Sequence, residues 1–128
     1  MYIALPSGRK LYYNNPEITQ NAWGKDAVTF RGLNDKGQYC QIDTYGGKLV
    51  ENITQAVARD ILCVAMLRLH KKGYALNMHV HDEAVAEVDA KDAPAALKEM
   101  CRLMCLPIKW ARGLPLNADG LYSKYYKK

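Results

Sequence analysis

Leu76-Asn77-Met78-His79-Val80-His81-Asp82-Glu83-Ala84-Val85-Ala86-Glu87-Val88 is the stretch on which the reading of this chain turns. Leu76, Met78 and Val80 alternate with Asn77, His79 and His81, the period-2 pattern of a half-buried strand. A second short run, Ala84 to Val88, follows the acidic pair. Two such runs joined by Asp82 and Glu83 predict a β-hairpin with carboxylates at its tip. Adjacent carboxylates repel, and a bound cation is one reason to keep them together. Oxygen donors without a nearby thiolate suit a hard ion such as magnesium or manganese. A solvated turn that happens to be acidic is the other reading of the same residues.

Working outward, the longest element lies just upstream. Gly46-Gly47 breaks the chain, and no Gly or Pro interrupts Lys48 to His70. Val50, Ile53, Val57, Ile61 and Val64 recur every three or four residues, which predicts an amphipathic helix over 48–72. Lys71-Lys72-Gly73 ends it with basic residues and a glycine stop. Glu51, Gln55 and Arg59 are spaced i, i+4, i+8 on its polar side, with Asn52 beside them. Aligned amide and guanidinium donors fit a hydrogen-bonding groove, and equally a solvated helix surface.

Downstream of the hairpin (75–88), Asp89-Ala90-Lys91-Asp92-Ala93-Pro94 reads as an Asp-capped helix start with Pro in the first turn. The helix, 92–106, carries Ala96, Met100, Leu103 and Met104 as its apolar stripe, and Pro107 stops it. Ile108-Lys109-Trp110 is expected to form a last strand within the segment 107–128. Tyr122-Ser123-Lys124-Tyr125-Tyr126-Lys127-Lys128 interleaves aromatic and basic residues, a composition that suits phosphates and bases or a frayed end. In the N-terminal part, 1–47, Leu5 to Arg9 is a turn and Lys10-Leu11-Tyr12-Tyr13 a strand halted by Asn14-Asn15-Pro16. Trp23–Arg31 and Tyr39–Thr44 are short strands around a Gly32–Gly37 turn.

The whole, 128 residues with 49% hydrophobic and 24% charged positions, has the size and composition of one soluble globular domain. No apolar run approaches the roughly 20 residues that span a bilayer, so a membrane role is not expected and a cytoplasmic location is. Cys40, Cys63, Cys101 and Cys105 form no Cys-x-x-Cys and read as reduced core thiols. The net charge of +5 is unevenly spread. Basic segments, Lys48 to Lys72 and the tail from Arg102, flank an acidic one from Asp82 to Glu99. A metal site that handles a polyanion fits that distribution.

In order, these segments resemble the C-terminal palm of family A DNA polymerases, the DNA polymerase I-like enzymes of bacteria and bacteriophages. Val80-His81-Asp82-Glu83 is similar to the family's motif C. Gln55-Ala56-Val57-Ala58-Arg59-Asp60 sits where the preceding helix carries a Gln and an Asp. Gly8-Arg9-Lys10-Leu11-Tyr12 with Pro16-Glu17-Ile18 is similar to the segment after the fingers, and Leu116-Asn117-Ala118-Asp119-Gly120 to the final loop. The long connection Thr19 to Gly47 looks phage-type.

The resemblance implies an α+β fold, a small antiparallel sheet holding the hairpin and packed against two main helices, as a partial palm. It implies template-directed nucleotidyl transfer with two magnesium (Mg2+) ions. Asp82 would bind metal, Glu83 would lie near it and tune it, and His81 would contact the primer end. Gln55 would reach the minor groove, where every correct base pair offers acceptors. Asn52 is offset by one, because the family's Asn falls where this chain has Glu51. The partners implied are primer-template DNA and deoxynucleoside triphosphates. Motif A, with its second metal-binding Asp, and the fingers helix are not found in the chain. The expectation is therefore a fragment, inactive alone, whose missing parts precede Met1. Its unpaired sheet edge would invite a symmetric dimer.

Two other readings fit the residues. His79 and His81, sharing one face of an extended strand, with Asp82 suggest a zinc or binuclear metallohydrolase. A non-catalytic nucleic-acid-binding or assembly module is the other.

Overall fold

The computed structural model describes residues 1–20 and 23–126. Asn21 and Ala22 of the phage-type connection, and Lys127 and Lys128 of the basic tail, lie outside the described residues. The chain is α+β, with small antiparallel sheets and two helices. The backbone divides into two compact units, Met1–Val57 and Ala58–Lys128.

In the first unit, β1 (Tyr2–Ala4) and β2 (Lys10–Tyr12) pair across the Leu5–Arg9 turn. Gly8, at φ +89°, donates its N–H to the Leu5 carbonyl at 2.9 Å there. A meander of β3 (Asn14–Gln20), β4 (Asp26–Leu33) and β5 (Tyr39–Thr44) follows, with β4 in the middle. β2 stops short of Asn14-Asn15-Pro16 as expected, and the same residues begin the next strand. The register slips one residue between Asn14 and Glu17, and Asn15 takes φ +43°. Proline is tolerated at such a bulge on an edge strand because no ladder donor is needed there. The β4–β5 turn is held by the Asn34 side chain, whose Oδ1 accepts from the N–H of Lys36 (3.0 Å) and Gln38 (2.9 Å). Tyr13 is buried and meets Phe30 edge to face, 5.0 Å between centroids.

The long helix α1 (Gly46–Lys72) takes Gly46 and Gly47 into its first turn instead of beginning after them. Its C-terminus follows the expected glycine stop. Gly73 sits at φ +101°, its N–H bonds the His70 carbonyl, and the Tyr74 N–H bonds that of Leu69. That reciprocal pair is the Schellman arrangement, which favours glycine at the left-handed position.

The buried side of α1 differs from the expected one. Val50 is 60% exposed, and Ile53, Val57, Ile61 and Val64 are only half-buried. Leu62, Ala65 and Leu69 are buried instead, together with Asp60. Both sets follow a helical period, since 62, 65 and 69 are spaced i, i+3, i+7. Periodicity alone therefore did not select the face.

The second unit gathers the rest of α1, the hairpin β6 (Ala75–Val80) and β7 (Glu83–Glu87), and helix α2 (Ala93–Met104). Leu62, Ala65 and Leu69 of α1, Ala96 and Leu103 of α2, and Ile108 are its buried apolar residues. Asp92 is the N-cap residue of α2 with Pro in the first turn, but its carboxylate makes no capping bond. At the end of α2, Arg68 of α1 donates to the carbonyls of Leu103 (3.4 Å), Leu106 (2.7 Å) and Pro107 (2.8 Å). Glu99 takes a two-pronged bond from Arg102, at 2.8 and 3.0 Å, and lies 3.9 Å from Lys72. The Arg102 bond holds the Glu99 carboxyl below its ordinary pKa.

The expected strand at Ile108–Trp110 is a turn, closed by the Ala111 N–H on the Ile108 carbonyl. Ile108 is apolar to fill the core, not to join a sheet. No described helix is long and apolar enough to cross a membrane.

Candidate functional site

The hairpin tip is a two-residue turn, because Val80 pairs directly with Glu83 across it. His81, the first turn residue, has φ +50°. Two-residue hairpin turns need a left-handed residue at that place, and His is among the non-glycine residues that tolerate it best. Asp82 completes the turn, and Glu83 is already the first residue of β7. His81, Asp82 and Glu83 are all exposed.

An irregularity lower in the hairpin changes the expected faces. Leu76 pairs with Ala86 and Met78 with Val85, so Asn77 is an extra residue on β6. Such a bulge reverses the alternation beyond it. The register therefore puts His79 and Ala84 on the face of Leu76, and Met78, Val80 and Glu83 on the other. Leu76, Met78 and Val80 do not form the single inward row that their spacing suggests, and Met78 is 39% exposed.

His79 faces Arg59 of α1. The guanidinium nitrogens lie 3.2 Å from Nδ1 and 3.3 Å from Nε2 of the imidazole. A neutral imidazole has one acceptor nitrogen, so only one of these contacts is a hydrogen bond at a time. The pair joins helix to hairpin. It also weighs against the metallohydrolase reading, because a cation already occupies the His79 nitrogens. His81 has left the strand for the turn, so the two histidines do not share an extended face. Among the described residues no group of three or more His, Cys, Asp or Glu side chains is placed to hold a metal ion.

Glu83 has a partner that its local sequence does not announce. The hydroxyl of Tyr126, 43 residues further on, donates to Glu83 Oε2 at 3.1 Å. That bond raises the phenol pKa, since the neutral hydroxyl is the form that donates. The mixed aromatic and basic tail was the only hint of such a contact.

The other expected residues lie on the first unit's part of α1. Gln55 is exposed, its amide donating to Glu51 Oε1 at 3.3 Å. Asn52 is half-buried and its amide donates to the Tyr13 hydroxyl at 3.3 Å. Its present partner is thus a core tyrosine, while Gln55 and Arg59 stand one turn apart on the exposed side of the helix.

Compared with known proteins, the chain is 46% identical over 129 aligned positions to the DNA polymerase of Bacillus phage SP02. The chain is similar from end to end to part of a phage DNA polymerase. The alignment takes in 100% of the chain and 20% of that relative, so the chain spans about a fifth of its length. The DNA polymerases of Mycobacterium phages D29 and L5 are each 40% identical over 52 residues, 39% of the chain and 9% of the relative. No family model and no solved structure matches. At the level of a DNA polymerase fragment, these likenesses agree with the sequence resemblance.

Proposed function

We propose that this chain is the C-terminal part of the palm of a family A, template-directed DNA polymerase. The observation that carries the reading is the tight turn that exposes Asp82 and Glu83 side by side, in a chain so similar to a phage DNA polymerase. Primer-template DNA and deoxynucleoside triphosphates are its partners in the complete enzyme.

The donor set fits a magnesium ion in part. Asp82 and Glu83 offer oxygens only, and magnesium keeps waters and takes further ligands from substrate phosphates. When bound, the ion would supply the positive charge that steadies the departing pyrophosphate. The chain's own groups do the rest. His81, raised on its left-handed turn, meets the primer end. Gln55 presents an amide donor to minor-groove acceptors, sensing pair geometry without reading sequence. Arg59 contacts backbone phosphate, with Asn52 as a weaker candidate because Tyr13 holds its amide.

Two carboxylates are too few for the full metal site, so the 128-residue chain is expected to be inactive alone. With magnesium, primer-template and all four nucleotides it should extend no primer, and extension would overturn that expectation. It should still bind primer-template DNA, with affinity falling about tenfold or more between 50 and 200 mM salt. Arg59→Ala should flatten the salt dependence by about one unit of slope. Binding indifferent to salt and to Arg59 would sink the nucleic-acid reading.

The hairpin also motivates a proposal of self-association. Among the described residues β6 pairs only with β7, so each strand has an open side in that sheet. A symmetric dimer is expected in sedimentation, and a monomer at high concentration would count against it.

A further inference from the structure

The tail from Pro107 to Tyr126 contains no helix or strand, yet its last described residue bonds to the hairpin tip. We propose that Tyr126 is a positioning residue for Glu83, fixing one carboxylate oxygen so that the other is presented beside Asp82. The proposal rests on the reading of that corner as a metal site.

Three features support it. An exposed glutamate at the start of a strand has three freely rotating side-chain bonds, and holding it in one orientation needs an outside contact. Tyr126 supplies that contact from a ring with two rotatable bonds. Its hydroxyl reaches Oε2 alone, which leaves Oε1 without a tyrosine donor.

The chemistry of the partner is the third feature. A phenol is a neutral donor, so it orients the carboxylate without cancelling its negative charge. A lysine or arginine in the same place would hold the group equally well and compete with any cation for it.

The test is a titration of the 128-residue chain with manganese alone. It follows the carbon-13 signals of the Asp82 and Glu83 carboxyls, which a bound paramagnetic ion broadens. In the parent chain both should broaden together at millimolar manganese. Tyr126→Phe should raise the concentration needed about threefold, the loss of one exposed hydrogen bond, and do so for both carboxyls, because they report one ion. In a Glu83→Gln background Tyr126→Phe should change the remaining Asp82 midpoint no further, whereas a general loosening would still move it.

An unchanged Glu83 midpoint in Tyr126→Phe overturns the proposal. So does a lower midpoint, which would make the tail a cover that withholds the carboxylate. If neither carboxyl broadens in the parent chain, the metal-site reading fails and the proposal falls with it. Tyr126 is 48% exposed, so loss of its hydroxyl does not threaten the fold.

Discussion

Leu69→Ala is expected to lower the stability of the second unit by about 3 kcal/mol, within the ~2–5 kcal/mol range for emptying a well-packed leucine site. Leu69 is the largest apolar side chain with no exposure at all, and it lies in the last turn of α1. Its carbonyl also accepts the Tyr74 N–H that closes the helix, so the residue joins core and helix stop. Few other side chains are fully buried, and the surroundings have little to collapse into the space. Domains of this size are stable by only about 5–15 kcal/mol, so the loss is a large share. Urea unfolding should show a lower midpoint with an unchanged slope. Leu69→Met should cost less than about 1.5 kcal/mol, because volume is kept. A loss under about 1 kcal/mol for alanine would mean that this side of α1 is not the core.

The second large effect is expected at Arg68. Its guanidinium donates to three carbonyls, one in the last turn of α2 and two just past its end, where a helix leaves acceptors without partners. The bonds to Leu106 and Pro107 come from different nitrogens, so the planar fork ties two carbonyls at once. Arg68→Ala should cost about 2–3 kcal/mol, the scale for losing charged hydrogen bonds and stranding their acceptors. Arg68→Lys should recover only part, since an ammonium is a single point. Arg68→Met separates the stem's packing from the bonds. Thermal unfolding should rank them Arg, Lys, Met, Ala. If Met equals Arg, the carbonyl contacts contribute nothing.

What was legible in the sequence followed from local rules. α1 and α2 were readable because each follows a helical period and ends at glycine or proline, and the hairpin because two short apolar runs flank the acidic pair. Asp82 and Glu83 at the tip followed from the two runs that flank them. The misreadings share a cause, which is that tertiary context chose between local options. Asn77 became an extra residue, and nothing in its neighbours marks a bulge. Asn15 and Pro16 entered an edge strand because a bulge removed the usual objection. Two stripes of α1 have the same period, and packing chose Leu62, Ala65 and Leu69. Ile108 to Trp110 is too short an apolar run to separate a strand from a core-filling turn. At the site, the Arg59–His79 and Tyr126–Glu83 contacts join residues 20 and 43 positions apart. No spacing rule reaches that far.

The choice of carbonyls as acceptors for Arg68 has a consequence in acid. Glu99 has a pKa depressed by Arg102, so what its ion pairs contribute is present above the ordinary carboxylate range and is lost as pH falls through the lowered value. Peptide oxygens take up no proton over that interval. The strap between the long helix and the segment after its neighbour therefore outlasts the carboxylate pairs. Vinegar-like conditions should unpick the second unit's surface before they release its frame.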